Sequence, residues 1–150
     1  MSVKLWKDKK NGEIDPGLLD TTAEEFAKKI NLERINSRDK VNKSTQIRKF
    51  FDEVIRFQGL LQTNPEQFNE LLPYIKMLNA KAAYAAGRDL IGSDFKSFLS
   101  EGIGQVNDRK DFELFCSFFE AFLGFYKYYS EKEKNGSAQG HYQGGNQQRR

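Results

Sequence analysis

Six residues within one short stretch bring cations together with hydroxyl and amide donors: Lys43, Thr45, Gln46, Arg48, Lys49 and Arg56. Side chains of these types suit phosphate and ribose contacts, and they include little that would read the edges of bases. An ordinary charged surface has the same composition, so both readings stand at this level. Nearly all of the aromatic residues lie at core spacing, which argues against single-strand stacking.

Other chemistry is poorly supplied. The sole histidine, His141, falls in a polar tail, so no Ser-His or Cys-His pair is preorganised. Cys116 is the only cysteine and sits among apolar residues, where a small buried core residue is the default. These counts exclude a His/Cys metal site and an internal disulfide, and they fit a reducing cytosol. Gly102-Ile103-Gly104 lacks the third glycine and the preceding strand of a dinucleotide site. Glu113 and Glu120 share a helix face ~10.5 Å apart at 1.5 Å per residue, beyond the usual spacing of a glycosidase pair. They read as a solvated or salt-bridged stripe. The chain is expected to be no enzyme and to need no cofactor or metal.

The elements that position these residues are helices. Asp111 to Tyr129, DFELFCSFFEAFLGFYKYY, holds nine of the twenty aromatic residues. Phe112, Phe115, Cys116, Phe119, Phe122, Leu123 and Tyr126 form one apolar face, and Leu114, Phe118, Ala121, Phe125 and Tyr128 a neighbouring one. Only Glu113, Ser117, Glu120, Gly124, Lys127 and Glu131 mark a polar stripe. Such a helix must be covered on most sides, as the central post of a bundle.

Upstream, Ser44 opens an amphipathic helix with Ile47, Phe50, Phe51, Val54, Ile55, Gln58 and Leu61 on its apolar side. Arg48, Asp52 and Arg56 lie opposite, with Thr45 and Lys49 beside them. A helix from Thr21 is expected to be capped by Thr21 or Thr22 and to bury Phe26, Ile30 and Ile35. Asn64-Pro65 starts a third helix that Pro73 bends or splits, and Gly87 is the expected left-handed cap at its end. A short helix over Asp94–Leu99 follows, then a Gly-containing connection, and Asp108 caps the central helix. The fold class is all-α, a compact bundle of about five helices over 21–134. A flexible arm over 1–20, in which Trp6 alone is suited to docking, precedes it, and a disordered Gly/Gln-rich tail over 135–150 follows.

One domain suits 150 residues, long enough to bury a core without metal or disulfide. No apolar run approaches the ~20 residues of a membrane span, and no signal-peptide core is evident, so a cytoplasmic protein is expected. The net charge of +3 is small, but its distribution is uneven. Six basic residues face one acid between Arg34 and Lys49, and three face none between Lys76 and Arg88.

Three blocks carry a family resemblance: Ser44–Phe51 (STQIRKFF), Leu78–Arg88 (LNAKAAYAAGR) and Phe118–Tyr129 (FFEAFLGFYKYY). In this order they resemble the small helical subunit of type III-A CRISPR effector complexes, the Csm complex. The resemblance covers about Ser44 to Ser130. It implies a non-catalytic helical bundle whose copies stack into an inner filament along guide RNA and target RNA, in an antiviral ribonucleoprotein. Its partners would be those RNAs, the backbone repeat subunits and copies of itself, with no membrane. Base pairing would read sequence there, leaving duplex shape and phosphates to the protein. The resemblance makes Arg48 and Arg88 the leading RNA-contact candidates. Lys49, Arg56 and Lys81 follow by position and charge, and Lys43, Thr45 and Gln46 by neighbourhood. Two alternatives stay open: Arg88 pairing with an acid such as Glu120, and a protein-interaction adaptor whose basic face meets acidic partners. Tyr84 and its flanking alanines are expected to pack between helices.

Overall fold

The computed structural model describes the backbone over 2–148 and side chains over 2–133; the side chains of the expected tail over 135–150, His141 among them, lie outside these. Six α-helices follow one another: α1 (Ala23–Asn36), α2 (Ser44–Thr63), α3 (Phe68–Lys76), α4 (Leu78–Gly87), α5 (Ser93–Gly104) and α6 (Arg109–Gln148). There is no β-strand among the described residues; one bridged pair, Asp8 with Glu13, closes a turn in the arm. The expected third helix is α3 and α4 together. Its break falls at Met77, four residues beyond Pro73, which stays inside α3.

The central helix is α6, packed against α1, α2 and α5. Phe112, Phe115, Phe118, Phe119, Phe122 and Tyr126 are fully buried. Phe98 of α5 meets the ring of Phe122 at 4.6 Å between centroids, and Phe26 of α1 meets Phe118 edge-on at 6.0 Å. Burying each such ring contributes roughly 1.5–3 kcal/mol, so this cluster dominates the core. The second apolar row is covered less toward its end, where Tyr128 is exposed. The polar stripe faces outward as expected, with Ser117, Glu120, Gly124 and Lys127 exposed.

Asp108 and Asp111 start α6 by capping each other's turn. Asp108 Oδ1 accepts the Asp111 N–H at 2.9 Å, and Asp111 Oδ2 accepts the N–H groups of Asn107 and Asp108 at 2.9 and 3.2 Å. This reciprocal pairing satisfies donors that a helix start leaves orphaned.

Several expectations are corrected by packing. The arm is irregular, yet pinned to the bundle rather than loose. Val3 and Leu5 are buried; their backbone groups bond to Glu101 and Gln105, and Trp6 Nε1 donates to Asp111 Oδ1 at 2.8 Å. On α2, Phe57 is buried and Ile55 is partly exposed. The seam is 47, 50, 54, 57 and 61, a strict alternation of threes and fours. On α1 the buried face continues through Asn31 and Arg34, and Ile35 points outward. Neither Thr21 nor Thr22 caps α1 by its side chain; a π-helical turn over Leu18–Thr22 leads into it.

The left-handed residue after α4 is Asp89 (φ 58°), not Gly87. There the Leu90 and Asp89 N–H groups return to the carbonyls of Ala85 and Ala86, the double bond pattern of a Schellman end. The α5 helix runs through Gly102 to Gly104 instead of stopping at Leu99. Gly102 is required because the Phe115 ring occupies the space of a side chain: an added Cβ would stand 2.4 Å from Cε2.

The linker between α1 and α2 is held by fully buried Asn42, itself left-handed (φ 62°). Its Nδ2 donates to the Ile30 carbonyl and to Glu33, and its Oδ1 accepts the Gly92 N–H at 2.9 Å. Tyr126 donates its hydroxyl proton to the Asn42 carbonyl. These bonds fix the start of α2 relative to the α4–α5 connection, and hence the two walls of the groove described next.

Candidate nucleic-acid interface

Helices α2 and α4 form the walls of a groove whose floor is Phe50, Leu78, Ala85 and Leu90. The α2 wall presents Gln46, Lys49 and Glu53, and the α4 wall presents Lys81, Tyr84 and Arg88. On each helix these residues recur at threes and fours, the row beside the buried one. The groove is open to solvent and has a volume of about 380 Å³.

Charge on the groove is predominantly positive. Glu53 accepts from Arg56 at 2.9 and 3.2 Å and from Lys81 at 3.3 Å, linking the two walls. The Arg56 hydrogen bonds, with Lys81 adding to them against the opposing effect of burial, hold the Glu53 carboxyl below its ordinary value. Lys49, Lys81 and Arg88 thus line a groove, flanked by Arg56, whose one carboxylate is Glu53. Arg88 pairs with neither Glu53 nor Glu120. Its Nη1 donates to the Tyr84 hydroxyl at 3.0 Å and its guanidinium lies 5.5 Å from the Tyr84 ring centroid.

Of the eight expected residues, Gln46, Lys49, Lys81 and Arg88 line this groove, and Arg56 sits at its edge through Glu53. Lys43 and Thr45 line a separate recess with Arg34, Asp39 and Ser130, at the start of α2. Arg48 is exposed on another side of α2 and stands 3.6 Å from Asp52, one turn on. Arg34, counted in the sequence among the basic cluster, is buried and does not belong to the surface. Asn31, Asp39 and Glu133 receive its donors. Burial works against the Arg34 charge, but these partners, Asp39 foremost, raise its pKa above the ordinary value.

Two groove residues escaped the sequence reading. Tyr84 is 66% exposed, so its expected packing role is wrong, although Ala82 and Ala85 beside it are buried. Its spacing from Lys81 and Arg88, three before and four after, was the available signal. Glu53 was equally readable as the residue four after Lys49 and three before Arg56.

Elsewhere, reactive groups are withheld. Cys116 is buried, and burial, with Glu113 nearby, pushes its thiol up to about 12. Glu113 lies 3.4 Å from Arg109 in a half-exposed pair. Among the described residues no group of three metal-ligating side chains comes together, and no helix is long and apolar enough to cross a membrane.

The profile of the family described as Csm2 type III-A matches residues 13–132, which span every element of the groove and the core beneath it. A curated relative from Streptococcus thermophilus, described as CRISPR system Cms protein Csm2, is 26% identical over 104 residues. That match covers 68% of this chain and 84% of the relative. No solved structure matches the chain significantly. With most of its length under the family profile and the three sequence blocks placed on α2, α4 and α6, the chain belongs to the Csm2 type III-A family, the small subunits of the Csm complex.

Proposed function

We propose that the chain is a non-catalytic RNA-binding and scaffolding subunit of a cytoplasmic type III-A CRISPR ribonucleoprotein. Copies stack in an inner filament, beside the backbone repeat subunits, along the guide RNA–target RNA duplex. The observation that carries this reading is the α2–α4 groove, lined by Lys49, Lys81 and Arg88 against one carboxylate, Glu53, which Lys81 and the flanking Arg56 pair. Cations of this kind neutralise phosphates without reading sequence. A buried cysteine with a raised pKa and Glu113 already paired with Arg109 support a role without bond-making chemistry. Many weak copies on one scaffold bind firmly through effective concentration.

The test is RNA affinity against salt for the assembled complex carrying Lys49→Ala, Lys81→Ala and Arg88→Ala together. Each lost phosphate contact lowers the log–log salt slope by about 0.7–0.9, so the triple variant should lose about 2–3 from the slope. Unchanged affinity and slope, with the complex intact, would overturn the assignment. Loss of assembly in the absence of RNA would favour the adaptor reading, in which the cations meet acidic protein surfaces.

A further inference from the structure

We propose that the α2–α4 groove is a nucleobase site: it takes one unstacked nucleotide of an RNA strand, its base on the Tyr84 ring and its phosphates on Lys49 and Lys81. This deepens the RNA-binding reading and rests on it. Phosphate neutralisation alone needs no aromatic residue and no apolar floor, yet the groove has both. Tyr84 is 66% exposed in a chain whose phenylalanines are almost all buried or half-buried. The ring is not loose, because Arg88 donates to its hydroxyl at 3.0 Å and lies 5.5 Å from its centroid. A ring fixed in advance loses little entropy when a base stacks on it.

The remaining walls fit the rest of a nucleotide. Phe50 and Leu78 give the floor an apolar surface, and the half-buried Gln46 supplies both an amide donor and an acceptor within the same groove. Its volume of about 380 Å³ is that of a small-ligand pocket, too confined for a helix of RNA. Bases within a duplex hide their faces, so only a base out of the stack can use Tyr84. Cations on both walls select a polyanion over a neutral aromatic ligand.

The experiment uses the full chain and a short single-stranded oligoadenylate, compared with the same oligomer carrying abasic sites and with a duplex of equal length. Wild-type protein should bind the base-bearing strand about 5- to 150-fold more tightly than the abasic strand, the range that one stacked base provides. Tyr84→Ala should abolish that preference while leaving the salt slope intact, and Tyr84→Phe should retain most of it. Lys49→Ala with Lys81→Ala should instead flatten the slope for every RNA. Circular dichroism checks that each variant is folded. Equal binding of base-bearing and abasic strands by wild type, or a preference that survives Tyr84→Ala, overturns the nucleobase site and leaves the phosphate-binding reading in place. Failure of the wild-type chain to bind the base-bearing strand overturns the nucleobase site, while the phosphate-binding reading is decided by the salt slope of the assembled complex.

Discussion

Replacing Asp111 with alanine tests how the arm and the central helix are joined. The Asp111 side chain is 2% exposed and accepts from the Trp6 indole at 2.8 Å, from the amides of Asn107 and Asp108, and from Lys9 at 2.9 Å. Losing the two amide bonds at the α6 start should cost about 0.5–2 kcal/mol. Leaving the half-buried indole N–H unpaired adds about 1 kcal/mol. Lys9 contributes little to this sum, since it is solvent-exposed and keeps Asp108 at 2.7 Å. The total is about 1.5–3 kcal/mol, or about 3–12 °C in Tm for a chain of this size. Trp6 is the only tryptophan, so its emission reports the arm and far-UV circular dichroism reports the helices. In urea the variant should lose the Trp6 signal before the helical one, because the arm loses its anchor first. Coincident transitions at the wild-type midpoint would refute the reasoning.

The same carboxylate makes the arm acid-sensitive. Burial alone would raise its pKa, but the bonds from Lys9, the Asn107 amide, Trp6 and the Asp108 amide outweigh it and lower the value below the ordinary one. A depressed carboxylate pKa contributes stability that is fully present above the unfolded value of about 3.9 and is lost as pH falls through the folded value. Wild-type Trp6 emission should therefore hold steady down to about pH 4 and change below it, a drop that Asp111→Ala should not show.

Two glycines in helices should respond to alanine with opposite signs. At Gly102 the added Cβ meets the immobile Phe115 ring at 2.4 and 2.7 Å. Overpacking then outweighs the gain in helix propensity, for a net loss of about 1–2 kcal/mol. At Gly124 nothing lies within 4 Å, so alanine should stabilise by about 0.4–1 kcal/mol; urea midpoints of the two variants check both signs. Cys116, buried and with its thiol raised to about 12, should react with Ellman's reagent only as fast as the protein unfolds. A burst of labelling in native buffer would contradict its placement.

The helices were legible because their apolar residues repeat at threes and fours, and α6 declares itself by phenylalanines alone. What the sequence hides depends on partners far along the chain. Val3 and Leu5 look like strays in a lysine-rich arm until Glu101 and Gln105 meet their backbone groups. Gly102 reads as a break until Phe115 fills its missing side chain. The cations of the interface could be read from charge, but their convergence needs the crossing of α2 and α4, which no local pattern encodes. Tyr84 is masked for a related reason: among alanines and a glycine, a helix has no strong apolar face, so an exposed ring and a packed one look alike.

The two classes of basic residue in this chain show what separates folding from binding. Arg34 is buried with its partners Asn31, Asp39 and Glu133 supplied by the chain itself, and removing it would leave the buried Asn31 side chain without its partner. Of Lys49, Arg56, Lys81 and Arg88, only Arg56 and Lys81 pair with the one carboxylate on this exposed surface, so the mutual repulsion of the four works slightly against the folded state. Nothing in the packing of α2 or α4 requires that excess, since the inward faces are satisfied by Ile47, Phe50, Val54, Leu78, Ala82 and Ala85. A second acid beside Glu53 would relieve the repulsion at no cost to the core. On the proposed RNA-binding role, the groove's uncompensated charge is a property of what it meets: a polyanion would turn repulsion within the chain into attraction across an interface.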